Sequence, residues 1–514
     1  MDFIISSIQL SLTKLLYSLG EIKKQGLQNT AILNIATVIG FGSVLVVQPY
    51  LLKPEEIGLI RTLYSLSILI SSLVPMGMGN AVYKFFPQFR NNEKKHHGFF
   101  SFMSLYVAAG FLVAALLVFV FREKIIDAYS IKSPLISEFF DYVFPFSFFL
   151  AFISVFSIYS ASLFKSSFPA FLTEITTKLF PVVAISIYYM GWIDINTFVL
   201  MYVLCFGLIF LIMMIYIFII DKPFAAIDRH KFNNAKVKEI LIYSGSFSFA
   251  ALASLGLKNL DIALIGMYVP LALAGVYATV AIIPAVIEMP LHALEKIAAA
   301  KISDAFTHNR IEEVKNIYYR ASKYLFLAGG LLFLGVNLNI HKLLWLLPRE
   351  KGFWQGETVV YIVTFGALFN MATSVNNPIL YNSKYYRYGL GMLVFLTVVS
   401  YINYSIFIPL WGLEGAAFAT ALSSISYNFL KFFFIWKKMG LQPFDVNSLK
   451  TFLLICTCGL LWFVNIDLGS ATVEIIAMSV LVSLVYLTGA YYLKIVPELF
   501  QVKHIADIKK RLGL

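Results

Sequence analysis

The feature that most constrains the fold of this chain is a series of apolar stretches, each about 20 residues long. A stretch of that length crosses the hydrocarbon core of a bilayer as an α-helix. In lipid, only helices and closed barrels satisfy every backbone polar group. The sequence therefore predicts an all-α polytopic membrane protein. Its 514 residues hold about fourteen candidate transmembrane helices, at 29–51, 57–80, 99–120, 139–164, 170–190, 196–220, 241–268, 272–296, 321–341, 358–380, 389–409, 412–436, 450–466 and 472–493.

The composition agrees with lipid as the main solvent. Only 13% of the residues are charged and 59% are hydrophobic, whereas a soluble protein is about 25% charged. The cysteines, Cys205, Cys456 and Cys458, fall inside apolar stretches and predict neither a disulfide framework nor a metal site. The sequence contains no nucleophile–base pair and no metal-ligand spacing, so we expect neither an enzyme nor a bound cofactor.

The distribution of basic residues predicts the orientation of the chain. With the N-terminus in the cytoplasm, thirty of the forty Lys and Arg residues fall in cytoplasmic segments, seven in outer segments and three within spans. The cytoplasmic number includes Lys431, which we assign to a connector at 431–450. Both termini are therefore predicted to be cytoplasmic. The net charge of +12 is explained by a basic face against anionic lipid, without a nucleic-acid partner.

An internal repeat divides the chain into two pseudo-symmetric lobes. Aligning Gly58 with Gly275 gives an offset of 217 residues, and each copy carries a proline in its inner half, Pro75 or Pro290. A repeat of six spans predicts lobes of the same orientation, related by an axis along the membrane normal. We assign 1–28 to an amphipathic cytoplasmic N-terminus, 29–226 to the N-lobe, 227–445 to the C-lobe, and 446–514 to two further helices and a basic tail. The connector 297–320 is predicted to be an amphipathic interfacial helix.

Three segments resemble a known family. The segment KPEEIGLIRTLYSLSILISSLVPMGMGNAVYKFFP at 53–87 is similar to the first hairpin of bacterial polysaccharide exporters. NLDIALIGMYVPLALAGVYATVA at 259–281 and PLWGLEGAAFATALSS at 409–424 also resemble these exporters. They belong to the multidrug/oligosaccharidyl-lipid/polysaccharide exporter superfamily, and the similarity is nearest to its O-antigen flippase branch.

The resemblance implies a V-shaped bundle of two lobes around a central cavity, in the bacterial cytoplasmic (inner) membrane. The implied activity is flipping of an undecaprenyl-diphosphate-linked oligosaccharide to the periplasmic leaflet by alternating access. This substrate is a repeat unit of O-antigen, as in lipopolysaccharide, or of another surface polysaccharide. Expected partners are the lipid-linked oligosaccharide, membrane lipids and the polysaccharide polymerase machinery.

Ionisable side chains inside spans are costly and usually face a cavity, so they are the candidate site residues. If a helix begins at Pro54, Arg61 lies about 10 Å below the outer surface. Its planar fork suits a diphosphate, and snorkelling to the headgroups is the alternative. Lys258 and Asp261 share a face of the seventh span. They either neutralise each other or act on the substrate, and we expect Arg61 and Asp261 to pair in an outer gate.

Two further groups have helical spacing. Glu174 and Lys178 are four residues apart, in the order that favours an ion pair, and they either pair structurally or line the cavity. Glu288, His292 and Glu295 lie on one face of the eighth span. Glu288 and His292 are our candidates for a coupling ion, with buried structural roles as the alternative.

Amide side chains within spans form the last group of candidates. Amides either line a sugar pathway or hold helices together. The amides predicted to line the polar cavity are Asn34, Gln48, Asn370, Asn376 and Asn377.

Two other functions stay open. A cation-coupled multidrug exporter of the same superfamily would favour carboxylates such as Glu288, whereas the cations Arg61, Lys178 and Lys258 favour an anionic substrate. A membrane-embedded polymerase or acyltransferase would be expected to carry a large periplasmic loop, and the longest predicted outer loop spans only about residues 121–138.

Overall fold

The computed structural model describes residues 25–26, 28–91, 93–221, 227–251, 257–464 and 466–497, without the side chains of 246–251, 257 and 258. Most of the predicted amphipathic N-terminus and basic tail, and the Lys258 side chain, lie outside the described residues. Every regular element of the described chain is helical, which confirms the predicted all-α class. The chain forms two compact units, Met1–Met267 and Tyr268–Leu514.

The first unit is built from ten described helices. They are α1 (Gln28–Leu51), α2 (Pro54–Leu73), α3 (Met78–Phe89), α4 (Phe99–Val120), α5 (Arg122–Ser130), α6 (Pro134–Ser162), α7 (Ser167–Tyr189), α8 (Ile195–Asp221), α9 (Asn234–Ala251) and α10 (Leu257–Tyr268).

Helix α2 begins where its sequence predicts. Pro54 occupies the first turn, and the Lys53 backbone N–H donates to Glu56 Oε2 at 2.7 Å. Carboxylates in the first turn also interact favourably with the positive end of the helix dipole. The other Glu56 oxygen accepts from the Tyr188 hydroxyl of α7 at 2.7 Å. These contacts fix the start of α2 and thereby the position of Arg61, two turns further along.

The core of the first unit is rich in aromatic residues. Phe86 of α3 makes edge contacts with Phe99 and Tyr159, and Phe156 stacks on Phe210. Helices in lipid associate by close packing and polar contacts, because the surrounding tails are as apolar as the side chains. Interlocked rings contribute about 0.5–1.5 kcal/mol per pair beyond burial and make this unit a rigid frame for α2.

The second unit contains nine described helices. They are α11 (Leu271–Val280), α12 (Pro284–Thr307), α13 (Ile311–Asn337), α14 (Ile340–Trp345), α15 (Glu357–Thr373), α16 (Asn376–Asn382), α17 (Tyr386–Met439), α18 (Val446–Gly459) and α19 (Ala471–Tyr492).

Backbone breaks interrupt three long helical segments of the second unit. The segments before and after the break differ in direction by 41° between α11 and α12, and by 53° where a short turn leads from α15 into α16. In that short turn Ser374 has φ 56° and ψ −129°. Helix α17 contains Gly412 at φ 58° and ψ −122°. A Cβ on Gly415 would lie 1.9 Å from the Phe407 carbonyl oxygen, so glycine is required where the two halves of α17 approach each other.

The described helices agree with a multi-pass membrane protein. Nine of them are long and apolar enough to cross a membrane, or eleven segments if each bent pair is one span. Helix α17 is counted as one of the nine, although it contains two predicted spans, 389–409 and 412–436, which meet near the kink at Gly412. The predicted span 241–268 falls on α9, α10 and undescribed residues between them, and 321–341 falls largely in α13. The number fourteen and the lobe boundary at 226/227 stay predictions.

The interfacial helix predicted at 297–320 is wrong. Its residues belong to the end of α12 and the start of α13, which are joined by a turn in which Asn309 has φ 55°. Ile302 and Val314 are buried in the core of the second unit. The apolar periodicity that suggested an interfacial face is the packing face of two long helices.

Candidate functional site

In the first unit, the polar contact around Arg61 joins α1 and α2. The half-buried Arg61 donates from Nη2 to Gln48 Oε1 at 3.0 Å, and Gln48 is buried. Gln48 follows the π-helical turn Ser43–Val47, a type of distortion that is frequent at functional sites. Among the described residues, Arg61 Nε is buried without a hydrogen-bond partner. Because a guanidinium has five N–H donors, Gln48 leaves donors for a further ligand.

The predicted gate pair is not formed in this structure. Within the described chain, the Arg61 guanidinium donates to Gln48 and makes no ion pair with Asp261. Asp261 is buried on α10, and its Oδ1 accepts from the Ile262 backbone N–H at 2.8 Å. Lys258 also lies on α10, but its side chain is outside the described residues. The Arg61–Asp261 gate, which we predict for the inward-facing state, stays a prediction.

The ion pair predicted from the spacing of Glu174 and Lys178 is present. Lys178 Nζ lies 3.7 Å from Glu174 Oε2, and both side chains are about one-third exposed. The pair lies at a second π-helical turn, Leu172–Thr176 in α7. The Lys178 stem lies across α1 at Gly40, where an added Cβ would come within 3.3 Å of Lys178 Cδ.

These groups form one polar region on α1, α2 and α7 of the first unit. Gln48 and Gly40 both lie on α1, so the contact of Arg61 with Gln48 and the contact of Lys178 with Gly40 share that helix. Asn34 is exposed on α1. The region can therefore present a guanidinium and an ammonium to an anionic ligand.

In the second unit, two carboxylate–amide contacts join α12 to α15 and α16. Asn370 Nδ2 donates to Glu288 Oε1 at 2.8 Å, and Asn377 Nδ2 donates to Glu295 Oε1 at 3.1 Å. Glu288 and Glu295 are seven residues apart, two turns of α12, whereas Asn370 and Asn377 lie on opposite sides of the break at Ser374. Sequence reasoning identified all four residues but not their pairing.

Lys431 extends this network, and sequence reasoning assigned it wrongly. It is 2% exposed on the second half of α17, where Nζ donates to Asn377 Oδ1 at 2.7 Å. Its ammonium also lies 4.1 Å from the centre of the Tyr427 ring. The assignment to a cytoplasmic connector fails because α17 continues to Met439. The apolar run NFLKFFFIW at 428–436 was the available signal, since a solvated connector would be more polar.

The helix break lies between the two carboxylate–amide contacts. Asn376 follows the break, and its Oδ1 accepts from the Tyr318 hydroxyl of α13. Ser374 Oγ and Asn376 Nδ2 are buried, and the described residues offer neither of them a partner. His292 is 59% exposed, with Nδ1 3.8 Å from Glu295. It therefore borders the network from an accessible side and is not a core histidine.

A second polar cluster in the first unit was not predicted from the sequence, because its histidines lie in a connector and only side chains within spans were considered. His96 Nε2 lies 2.8 Å from Asp221 Oδ1, and Asp221 Oδ2 accepts from the Tyr159 hydroxyl at 2.5 Å. His97 Nδ1 lies 2.8 Å from Asp228 Oδ2, and this hydrogen bond holds the pKa of Asp228 below its ordinary value. The cluster ties the turn before α4 to the end of α8.

Comparison with known proteins gives a clear answer for the fold. No known protein-family model matches the sequence, and no curated protein matches it. A solved structure of the lipid II flippase MurJ, in an inward closed conformation, is similar over 92% of this chain and 99% of that chain. Its TM-score is 0.72 at 12% sequence identity.

A second solved structure has the same general architecture. It is a multidrug resistance MATE family transporter of the MOP superfamily, in an inward-facing conformation, with 13% identity and a TM-score of 0.54. The similarity covers 80% of this chain and 94% of that chain. At these identities the comparison concerns the fold alone. The chain therefore shares its polytopic helical fold with these two membrane transporters.

Proposed function

We propose that this chain is a flippase that moves an undecaprenyl-diphosphate-linked oligosaccharide across the bacterial cytoplasmic membrane by alternating access. The oligosaccharide is the repeat unit of O-antigen or of another surface polysaccharide. Both termini lie in the cytoplasm, and a polysaccharide polymerase uses the product on the opposite side. Support comes from the resemblance of the sequence segments and from the fold shared with a lipid II flippase.

Arg61 is the observation that carries the proposal. A guanidinium within a span is costly unless it faces partners or a cavity. Its described partner is the neutral amide of Gln48, which supplies a hydrogen bond but no compensating charge. A diphosphate supplies negative charge together with paired oxygens that match the fork of an arginine. We therefore assign the lipid diphosphate to the Arg61 side of the first unit.

Lys178 is the second cation that we assign to the headgroup. Its ion pair with Glu174 is long, at 3.7 Å, and partly exposed. Pairs of this kind contribute about 0–1 kcal/mol, so a diphosphate can replace Glu174 at small cost. Lys258 and Asp261 remain proposed substrate or gate residues on α10. The exposed Asn34 is proposed to contact sugar hydroxyls.

The second unit is assigned to coupling rather than to headgroup binding. The amides of Asn370 and Asn377 already donate to Glu288 and Glu295. This use favours a role in holding carboxylates over a role in binding sugars. Glu288, an intramembrane carboxylate, and the exposed His292 are proposed to carry the coupling ion.

A multidrug exporter is the second candidate, because a multidrug transporter shares the fold. Binding of a cationic drug would need a carboxylate that can accept it. Glu288 and Glu295 accept hydrogen bonds from amides, and Arg61 would repel a cation. These contacts favour the flippase.

Deletion of the gene tests the proposal. We expect the mutant to lose surface polysaccharide and to accumulate the matching lipid-linked glycan in the cytoplasmic leaflet. Wild-type protein and Arg122→Gln should restore the surface glycan, since Arg122 forms an ion pair with the exposed Asp141. Arg61→Gln should not restore it. An unchanged surface glycan, together with lost efflux of ethidium, would replace the flippase with the drug exporter.

A further inference from the structure

Lys431 is buried to an extent that is unusual for a lysine. Its side chain is 2% exposed, about 12 Å before α17 ends at Met439. An ammonium taken out of water is strongly destabilising unless nearby groups compensate its charge and satisfy its N–H donors. An ammonium at this position therefore depends on the groups that surround it.

The groups in direct contact with Lys431 are suitable for a cation. Nζ donates to Asn377 Oδ1 at 2.7 Å and lies 4.1 Å from the centre of the Tyr427 ring. Amide oxygens are common ligands of hard cations, and aromatic faces attract cations electrostatically. One amide and one ring therefore hold the ammonium on two sides.

The compensating negative charge reaches Lys431 through a single amide. Asn377 accepts from Lys431 with its oxygen and donates with Nδ2 to Glu295 Oε1 at 3.1 Å. Since Asn377 belongs to α16, it links α17 to α12 through the short helix that follows the break.

The helix break adds further polar atoms to the same region. Ser374 Oγ and Asn376 Nδ2 are both buried, and no described group pairs with either of them. Broken helices are the setting in which membrane transporters coordinate Na⁺, through unwound backbone carbonyls and helix C-terminal ends. Here a lysine ammonium lies within that setting.

We propose that the Lys431 ammonium is the built-in cation of this site and replaces an exchangeable metal ion between α12, α16 and α17. If the Lys431 ammonium fills this site, no metal ion can bind there, and the proton is left as the coupling ion at Glu288 and His292. This part of the inference rests on the proposed function. Its test measures cation binding, so its outcome is independent of whether the chain flips a lipid.

The test compares the thermal stability of the purified full chain in NaCl and in choline chloride of equal ionic strength. The melting temperature of the wild type should be the same in both salts. In Lys431→Ala the vacated site should bind Na⁺, and the melting temperature should rise saturably by about 3 °C or more. Adding Glu295→Gln to Lys431→Ala should remove this rise.

Lys178→Ala is the matched control, because it removes a membrane-embedded lysine from the other unit and should respond to Na⁺ as the wild type does. Lys431→Gln, which keeps a donor, replaces Lys431→Ala if that variant does not fold. A folded Lys431 variant without any Na⁺ response would overturn the proposal. The proposal would also be overturned if Na⁺ saturably raised the melting temperature of the wild type and Glu295→Gln abolished that rise. If neither Lys431 variant folds, the comparison of the wild type with Glu295→Gln decides the question.

Discussion

Two basic residues, Arg61 in the first unit and Lys431 in the second, differ in how their surroundings satisfy them. In the first unit, Arg61 has a neutral amide as its described partner and a buried Nε without a partner in the described chain. In the second unit, Lys431, Asn377 and Glu295 form a continuous chain of hydrogen bonds. An incompletely satisfied charge is suited to binding a ligand, whereas a closed network is suited to holding helices in one arrangement. The comparison predicts that substitution of Arg61 mainly affects transport, whereas substitution of Lys431 mainly affects stability.

The largest expected effect is on transport by Arg61→Gln. A hydrogen bond to a charged group contributes about 1.5–3 kcal/mol, which corresponds to roughly a 10- to 100-fold loss of activity. Arg61→Lys should retain part of the activity, because it keeps the charge but not the fork. Restoration of surface glycan in the deletion strain measures the effect. Wild-type transport by Arg61→Gln would remove the basis for placing the diphosphate in the first unit.

The second prediction compares two lysines. Lys431→Met removes the cation of the network and leaves the Asn377 oxygen without its donor and Glu295 without a compensating charge. It should lower the free energy of unfolding by about 3 kcal/mol. Lys178→Met breaks a partly exposed pair and should lower it by less than about 1 kcal/mol. Denaturant unfolding in detergent measures both variants. Equal losses would mean that the second unit is no more closed than the first.

The third prediction compares the two carboxylate–amide contacts. Asn377 has two charged partners, Lys431 and Glu295, whereas Asn370 donates to Glu288. Asn377→Leu should therefore cost about 2–3 kcal/mol and Asn370→Leu about 1–2 kcal/mol. The same unfolding measurement applies. A larger loss for Asn370→Leu would show that the network is centred on Glu288.

The smallest expected effect is a gain in stability from Ser374→Gly. Ser374 has φ 56° and ψ −129°, a backbone conformation that a residue with a Cβ adopts only under strain. Glycine should stabilise the fold by about 1 kcal/mol. Ser303→Gly, in the regular part of α12, is the control and should destabilise by about 0.5–1 kcal/mol. A loss of stability in Ser374→Gly would mean that the serine hydroxyl is required at the break.

Membrane class and most helix positions could be predicted, because lipid allows few backbone arrangements and apolar length is visible in a sequence. The start of α2 and the Glu174–Lys178 pair followed from local spacing alone. Partners across helices could not be predicted in this way. Nothing in the spacing of Arg61 indicates Gln48, and nothing around Asn377 indicates Lys431, because both contacts depend on how separate helices pack.

Lys431 shows why a local rule failed. Assigning it by charge placed it in a connector, since lysine within a span is rare. Its burial depends on Asn377, 54 residues earlier, and only the three-dimensional arrangement brings that amide to it. The break at Ser374 could not be predicted either, because serine is not a residue type that indicates a positive φ.

Binding of undecaprenyl diphosphate to the purified chain tests the central claim most directly. We predict that the wild type binds it more tightly than it binds undecaprenyl monophosphate, that Arg61→Gln weakens diphosphate binding at least tenfold, and that Glu295→Gln leaves it within about twofold. Native mass spectrometry or a fluorescent analogue in detergent can measure the three affinities. Unchanged binding by Arg61→Gln, or an equal loss in Glu295→Gln, would contradict the assignment of the diphosphate to the first unit.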